Sequence, residues 1–456
     1  MRYVFTYCLF GLLTGCQIDN STSHTAPPDN DSPANFVFIL CDDLGYGDLG
    51  CYGNRTIKTP VLDSLASIGL KLTSCYAGAP VCSPSRAALM TGKNPNRVGI
   101  RDWIPENSGI YLHEEEMTIA ELLKSAGYRT GLIGKWHLNS RVDGTEPTPA
   151  EHGFDYAFYT QNNAIPSHEN PVNFIRDGKP VGPLEGNSTS LIVDDAINFL
   201  QRDSASNQPF ALFVMFHAPH EPVATPQAYQ AMYPSYPDTS TRPVYYGSVS
   251  LIDHEVGRLL NALDMMKLTD QTFLMFTSDN GPETLNRYRG AQHSHGTAEP
   301  LRGMKLDITE GGYRVPGIIR WPGQTSAGSI SDVPVSATDV LPTFCEIAGI
   351  NPPDNMKLDG TSILPLFHQQ PIVRDKPLYW QYDRALSRPF TVSLREGDWK
   401  IITDKTIDST SLYNLAEDID ETNDLSQQYP QLTDSMKADA SALYRDINAT
   451  EEEVEL

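Results

Sequence analysis

The sequence predicts an α/β fold: a large mixed, mostly parallel sheet flanked by helices, then a smaller C-terminal α+β domain with an antiparallel sheet. Three observations carry this reading. Strand-length apolar runs alternate with helix-length amphipathic stretches. The strand-like runs are apolar at consecutive positions, as in strands covered on both faces. After about residue 345 the pattern changes to short strand-like pieces.

NFVFIL (35–40) is the first such strand, and TPVLDSLASIGL follows as a helix. MTIAELLKSAGY is a helix closed by Gly127, and RTGLIG is the next strand. SLIVDDAINFLQR leads as a helix into the strand PFALFVMF (209–216). VSLIDHEVGRLLNALDMMKL is a long helix before the strand in TFLMFTSDNG. PLYWQY, FTVSLREGDWKIITD and SLYNL suit a small antiparallel sheet, and LTDSMKADASALYRDI follows as a helix.

The stretch MRYVFTYCLFGLLTGC has Arg2 and then an apolar run to about Leu13, too short for a membrane span, and reads as a signal peptide. Leu13-Thr14-Gly15-Cys16 resembles a bacterial lipobox, with an ordinary cleaved signal or a chance apolar start as the alternatives. The expected organisation is a lipoprotein signal peptide over 1–15, a polar tether over 16–33, an α/β domain over 34–345 and an α+β subdomain over 346–456. The mature protein is expected to be exported and lipid-anchored to a membrane, in the periplasm or on the outer-membrane surface.

Net charge is −23, and Asp404 to Leu456 holds 14 Asp/Glu against 3 Lys/Arg. Such a surface excludes non-specific nucleic-acid binding, and an anionic substrate needs a locally basic pocket. Five of the seven cysteines lie beyond the leader (Cys41, Cys51, Cys75, Cys82, Cys345), an odd number that leaves at least one thiol unpaired or modified in an oxidising compartment.

Four predicted strands end in polar clusters: Asp42-Asp43, Lys135-Trp136-His137, HAPH (217–220) and Asp279-Asn280. In parallel α/β sheets ligands bind beyond the carboxyl ends of strands, so these clusters are candidates to converge. Asp42, Asp43, Asp279 and Asn280 are hard oxygen ligands suited to Ca²⁺ or Mg²⁺; each pair alone also reads as a turn. Lys135, His137, His220 and Lys305 add positive charge and proton donors, a set that suits an anionic oxyester.

In VCSPSR, Pro84 fits the first turn of a helix ending near Gly92, with Cys82 at its N-terminus and Arg86 four residues on. A thiolate at that place would have a lowered pKa; a packed, buried cysteine is the alternative, and the pentad leaves both open.

Together these residues resemble the formylglycine-dependent type I sulfatases of the alkaline phosphatase superfamily. Cys82-Ser83-Pro84-Ser85-Arg86 matches the family's C-x-P-x-R signature, GKWHL (134–138) its second signature and DDLGYGDLG (42–50) its first metal segment. SDNG (278–281) and EGGYRVPGIIRWPG (310–323) also match, over about residues 35–445. Asn139 stands where the family usually has Gly after GKWHL.

The resemblance implies an alkaline-phosphatase-like fold and oxidation of Cys82 to formylglycine (3-oxoalanine) by a maturation enzyme. One hydroxyl of its hydrate would attack sulfur, and the second would expel sulfate. It implies Ca²⁺ on Asp42, Asp43, Asp279 and Asn280, with the residue at 82 also contacting the metal. Arg86 and Lys135 would stabilise the diol, His137 would help deprotonate it, and His220 and Lys305 would face the leaving oxygen, with His220 preferred as the general acid. His220 is preferred to His217 because PHEPVATP matches the family's His-x-Pro segment.

The implied substrate is a sulfated carbohydrate. RVGIRDWIPENSG (97–109) and TQNNAIPSHENPVNF (160–174) resemble segments in polysaccharide sulfatases of marine bacteria that act on carrageenan-type galactans. Arg101, His168 and His295 are candidate substrate contacts. The rival readings are a phosphoester or phosphonate hydrolase of the same superfamily and a catalytically silent polysaccharide-binding lipoprotein.

Overall fold

The computed structural model describes residues 33–202, 208–237 and 239–449; the expected signal peptide and, up to residue 32, the tether lie outside the described residues. The strands are β1 (Asn35–Asp42), β2 (Leu70–Tyr76), β3 (Arg129–Lys135), β4 (Tyr156–Thr160), β5 (Ile175–Arg176), β6 (Lys179–Pro180), β7 (Phe210–Pro219) and β8 (Thr272–Ser278). They continue with β9 (Arg314–Arg320), β10 (Ser329–Ser331), β11 (Val335–Ser336), β12 (Leu378–Gln381), β13 (Val392–Glu396), β14 (Trp399–Thr403) and β15 (Thr410–Asn414). The helices are α1 (Pro60–Ile68), α2 (Cys82–Thr91), α3 (Ile119–Ser125), α4 (Ser188–Gln201), α5 (Gln227–Gln230) and α6 (Arg242–Met265). After them come α7 (Glu310–Tyr313), α8 (Val340–Ala348), α9 (Leu364–Phe367) and α10 (Pro430–Asn448).

The expected fold class is what the chain adopts. The main sheet runs β10-β2-β9-β8-β1-β7-β3-β4-β5-β6, with β11 on β2. β1 is parallel to both β7 and β8, and β3 is parallel to β7 and β4. β9 runs antiparallel between β2 and β8 and makes the sheet mixed. β1 shows why a continuous apolar run is needed. Phe36, Phe38 and Leu40 enter the core that holds Leu123 and Phe344 of α3 and α8. Val37, Ile39 and Cys41 enter the core that holds Leu65, Ile192 and Val256 of α1, α4 and α6. Successive side chains alternate faces, so burial on both sides demands apolar residues at every position.

Helix ends follow local chemistry. Thr118 and Glu121 form a capping box at α3, and Asn187 accepts from Thr189 N at α4. α2 stops at Gly92, which takes φ 66°, and its N–H closes on Ala88 O at 2.9 Å. The helix read through TPVLDSLASIGL ends at Ile68; Gly69 breaks it, and Leu70 already belongs to β2.

The small sheet runs β12-β13-β14-β15, all antiparallel, as expected. One face packs Val392, Leu394, Ile401 and Leu412 against Met436 and Ala440 of α10. The other carries Lys400 toward the main domain, where it meets Glu310 of α7 at 2.8 Å. Residue 345, at which the sequence reading divides the chain, lies within α8.

Candidate active site

The parallel register brings the polar clusters to one edge of the sheet. Cys41 of β1 lies opposite Ser278 of β8, and Asp42 opposite Pro219 of β7. Residues following these strands therefore emerge side by side. Asp43 and His137 take positive φ, 65° and 59°, as does Leu306 beside Lys305 at 71°. Such backbone is unfavourable for residues with a Cβ and persists only where the surroundings enforce it. Two glycines permit the close packing behind. A Cβ on Gly134 of GKWHL would lie 1.8 Å from Met215 O, and one on Gly281 would lie 1.9 Å from Gly311 O.

A dense charge network results. Arg86 donates from Nε and Nη2 to Asp279 Oδ2 at 3.0 and 2.8 Å, and from Nη1 to the Lys135 carbonyl at 2.9 Å. Lys135 Nζ donates to Asp42 Oδ2 at 2.6 Å, and Lys305 Nζ lies 2.7 Å from Asp43 Oδ1. Asn280 Nδ2 donates to Asp43 Oδ1 at 2.7 Å. His220 Nε2 stands 3.5 Å from Asp43 Oδ2, and its Nδ1 is 2.5 Å from the Glu221 carbonyl. That carbonyl must accept, so Nδ1 carries the proton in the neutral ring.

Burial pushes Asp42 up, but Lys135, His220, Arg86 and Lys305 outweigh it and hold the carboxyl well below its usual range. Burial drives Asp279 up to about 7, helped by Asp42 and opposed by Arg86. Burial likewise brings Asp43 to about 6 against the pull of Lys305. Three carboxyls thus crowd one buried volume. Asp42 Oδ1 and Asn280 Oδ1 are buried without hydrogen-bond partners. Asp42, Asp43 and His220 offer ligand atoms within 4.8 Å of one another. Unpaired oxygens among crowded carboxyls fit a hard divalent cation, with Asp42, Asp43, Asp279 and Asn280 as the residues able to hold it.

Cys82 opens α2, and all ten residues of that helix are buried. Ser83 Oγ accepts from Ile104 N, and Ser85 Oγ accepts from Gly78 N, so both serines of the pentad fasten the turn. Burial pushes the Cys82 thiol up despite Lys135 and Lys305. This direction is opposite to the lowered value that a thiolate at a helix N-terminus would need. His137 is held well below its ordinary value by burial and by Lys135. Its Nε2 donates to Ile104 O at 3.1 Å, which leaves Nδ1 without a partner. His220 falls to about 3 through burial and Lys305.

Cys82, His137, His220 and Lys305 share the wall of a cavity of about 570 Å³. The ten catalytic and metal candidates thus belong to one network and its adjoining cavity. The three substrate candidates are not on that wall. Arg101 is exposed outside it, while its neighbours Asp102 and Trp103 line it. His168 is buried near His217, with ring centroids 6.2 Å apart. His295 bonds Thr241 Oγ1 at 2.7 Å. Sequence reasoning missed Asn162, Asn163, Arg287, Tyr382 and Arg388 on the wall. The two asparagines lie in a segment it had singled out, and Asn163 Oδ1 accepts from Lys135 Nζ at 3.3 Å.

Residues 34–350, more than half of the chain, match the Sulfatase family, and 305–446 match the C-terminal part of N-sulphoglucosamine sulphohydrolase. The chain belongs to the sulfatase family. N-acetylgalactosamine-6-sulfatase of Sus scrofa is 34% identical over 377 residues, covering 78% of this chain and 69% of that protein. Arylsulfatase A of Homo sapiens is 34% identical over 363 residues, covering 73% and 68%. The crystal structure of Ps i-CgsB in complex with k-i-k-neocarrahexaose superposes with a TM-score of 0.80 at 28% identity, covering 92% of this chain and 98% of that one. This sulfatase hydrolyses sulfate esters, and its overall fold is shared with Ps i-CgsB.

Proposed function

We propose that this sulfatase acts on a sulfated polysaccharide or its oligosaccharides, of the carrageenan galactan type, through a formylglycine at position 82 and Ca²⁺. The observation that carries the proposal is the grouping of Cys82, His137, His220 and Lys305 on one cavity wall beside the Asp42–Asp43–Asp279–Asn280 oxygens. The similarity to Ps i-CgsB, solved with a neocarrahexaose, and to N-acetylgalactosamine-6-sulfatase supports a galactose-type sugar. Leu13-Thr14-Gly15-Cys16 supports an exported protein anchored by lipid at Cys16.

A formylglycine hydrate at position 82 would supply the attacking hydroxyl, and Ca²⁺ held by Asp42, Asp43, Asp279 and Asn280 would supply positive charge for the sulfate oxygens. Arg86, fixed by Asp279 and the Lys135 carbonyl, holds charge beneath position 82. His137, with Nε2–H committed to Ile104 O, offers the Nδ1 lone pair to a proton from position 82. Lys305, kept protonated by Asp43 against the opposing effect of burial, faces the leaving oxygen as a positively charged hydrogen-bond donor. His220 starts neutral and takes up a proton as the anionic ester enters.

The test uses protein made alongside a formylglycine-generating enzyme. Mass spectrometry of the tryptic peptide ending at Arg86 should show the aldehyde at position 82. Sulfate release is then measured on defined sulfated oligosaccharides, carrageenan fragments included. Cys82→Ala should fold and lose nearly all activity; substantial release by that variant would overturn the mechanism. A clear preference for phosphate over sulfate esters would replace the reading by a phosphoester hydrolase. Binding without release by matured protein would replace it by a silent carbohydrate-binding protein.

A further inference from the structure

The cavity wall holds more positive charge than sulfate chemistry at position 82 requires. Three guanidinium groups line it, those of Arg287, Arg384 and Arg388. Two are neutralised by the protein. Arg287 Nε donates to Glu283 Oε1 at 2.6 Å, and Arg384 Nη1 donates to Asp102 Oδ2 at 2.7 Å. Arg388 is exposed and has no hydrogen bond or ion pair among the described residues. This free cation stands on a chain of net charge −23.

Its loop is firmly tied to the reacting end of the cavity. Leu386 N donates to Leu306 O at 3.0 Å, and Ser387 Oγ accepts from Ile308 N at 3.1 Å. The chain carrying Arg388 is therefore hydrogen-bonded to the loop that carries Lys305. Trp103, 43% exposed, and Tyr382 line the same wall. Tyr382 OH donates to Asp102 Oδ1 at 2.9 Å, which braces the Arg384 pair. Flat aromatic surface on the wall suits the apolar face of a sugar ring, and a cavity of about 570 Å³ holds far more than a sulfate group.

We propose that Arg388 is a specificity-determining residue that binds a second anionic substituent, so that the preferred substrate is a carbohydrate bearing at least one sulfate or carboxylate besides the ester that is cleaved. This rests on the sulfatase reading of the same cavity. An unpaired guanidinium offers a bidentate fork to a sulfate or carboxylate, and charge-assisted bonds of this kind are among the stronger polar contacts. The acidic remainder of the molecule repels polyanions, so selectivity for them has to be local.

The test is competition against hydrolysis of 4-nitrocatechol sulfate by the matured full chain. The competitors are mono- and disulfated disaccharides prepared from carrageenan. A monosulfated chondroitin disaccharide, whose uronate carboxylate is itself a second anion, is a separate arm that tells whether a carboxylate serves as well as a sulfate. Wild-type protein should be inhibited about ten- to hundred-fold more tightly by disulfated than by monosulfated members. That ratio should fall about ten-fold or more in Arg388→Ala and be partly kept in Arg388→Lys. The slope of inhibition against salt should also become shallower in Arg388→Ala. Because the ratio is internal to each preparation, partial misfolding of a variant does not change it. Equal inhibition by both classes in wild type, or a preference that survives Arg388→Ala, would overturn the inference while leaving the sulfatase reading intact. Silence toward every ester, the aryl sulfate included, with formylglycine verified at position 82, would overturn both.

Discussion

Lys400 ties the small domain to α7 of the main domain, and replacing it with methionine should destabilise the protein in a pH-dependent way. Its ammonium is fully buried, 2.8 Å from Glu310 Oε1 and 2.8 Å from Glu421 Oε1. Glu310 keeps Tyr76 OH at 2.5 Å and Arg314 at 3.1 Å after the change, whereas Glu421 Oε1 keeps no hydrogen bond. Burial pushes Glu421 up and Lys400 pulls it back; without Lys400 its carboxyl rises further. A buried, unpaired carboxylate costs more than taking up a proton, so protonation sets the loss. From an ordinary value of 4.5, protonation costs about 3.4 kcal/mol at pH 7 and about 0.7 kcal/mol at pH 5.

The sign follows from linkage. In the variant, folded protein binds a proton that the unfolded chain releases, so stability falls as pH rises between the two pKa values. Lys400→Met should therefore lose about 3–5 kcal/mol at pH 7, in the range for breaking a buried ion pair, and markedly less at pH 5. Urea titration followed by tryptophan fluorescence measures this, with Trp380 stacked 4.5 Å from Tyr313 beside the pair. Adding Glu421→Gln to the variant should restore part of the loss at pH 7. A deficit below about 1 kcal/mol at pH 7, or one equal at both pH values, would refute the reasoning.

Chelation at pH 7 should lower the thermal midpoint, and Ca²⁺ at about 100 times its Kd should return about 2.7 kcal/mol; an unmoved midpoint would sink the metal assignment. Gly281→Ala places a Cβ 1.9 Å from Gly311 O, so the Asp279–Asn280 loop must shift, with sulfate release down about 100-fold. Release within two-fold of wild type would show that the loop tolerates displacement. His293 is raised by its hydrogen bond to Glu221, so its contribution is complete below 6.5 and is lost as pH rises through the higher folded value. His293→Ala should consequently cost more stability at pH 6 than at pH 9, and the opposite order in calorimetry would contradict this.

The strand ends were legible because their chemistry is dense and the parallel strands all point the same way. Asp42, Lys135, His220 and Asp279 could be assigned to one edge before any coordinates. β2 was not legible, since LKLTSCY mixes polar and apolar residues and follows α1 with only Gly69 between. β9 carries Pro316, which argues against a sheet interior, yet its pairing with β8 stops at Gly317, where no proline N–H is required. The substrate wall was the least legible part. Segment 97–109 supplies Asp102 and Trp103 to the wall, but which of Arg101, Asp102 and Trp103 faces the cavity depends on loop direction. Tyr382 and Arg388 reach the cavity only because the small domain docks beside Lys305, a packing that no local pattern encodes.

The complete burial of α2 also sets an order of events in the life of the chain. Cys82 is 3% exposed, and Ser83, Pro84 and Arg86 around it are equally enclosed. An enzyme that converts this cysteine would have to reach a side chain that the finished fold encloses on nearly every side. On the proposed chemistry, conversion therefore belongs to the interval between synthesis and folding. A population that folds first would be trapped as stable, metal-competent and inert protein, and adding the maturation enzyme afterwards would not rescue it.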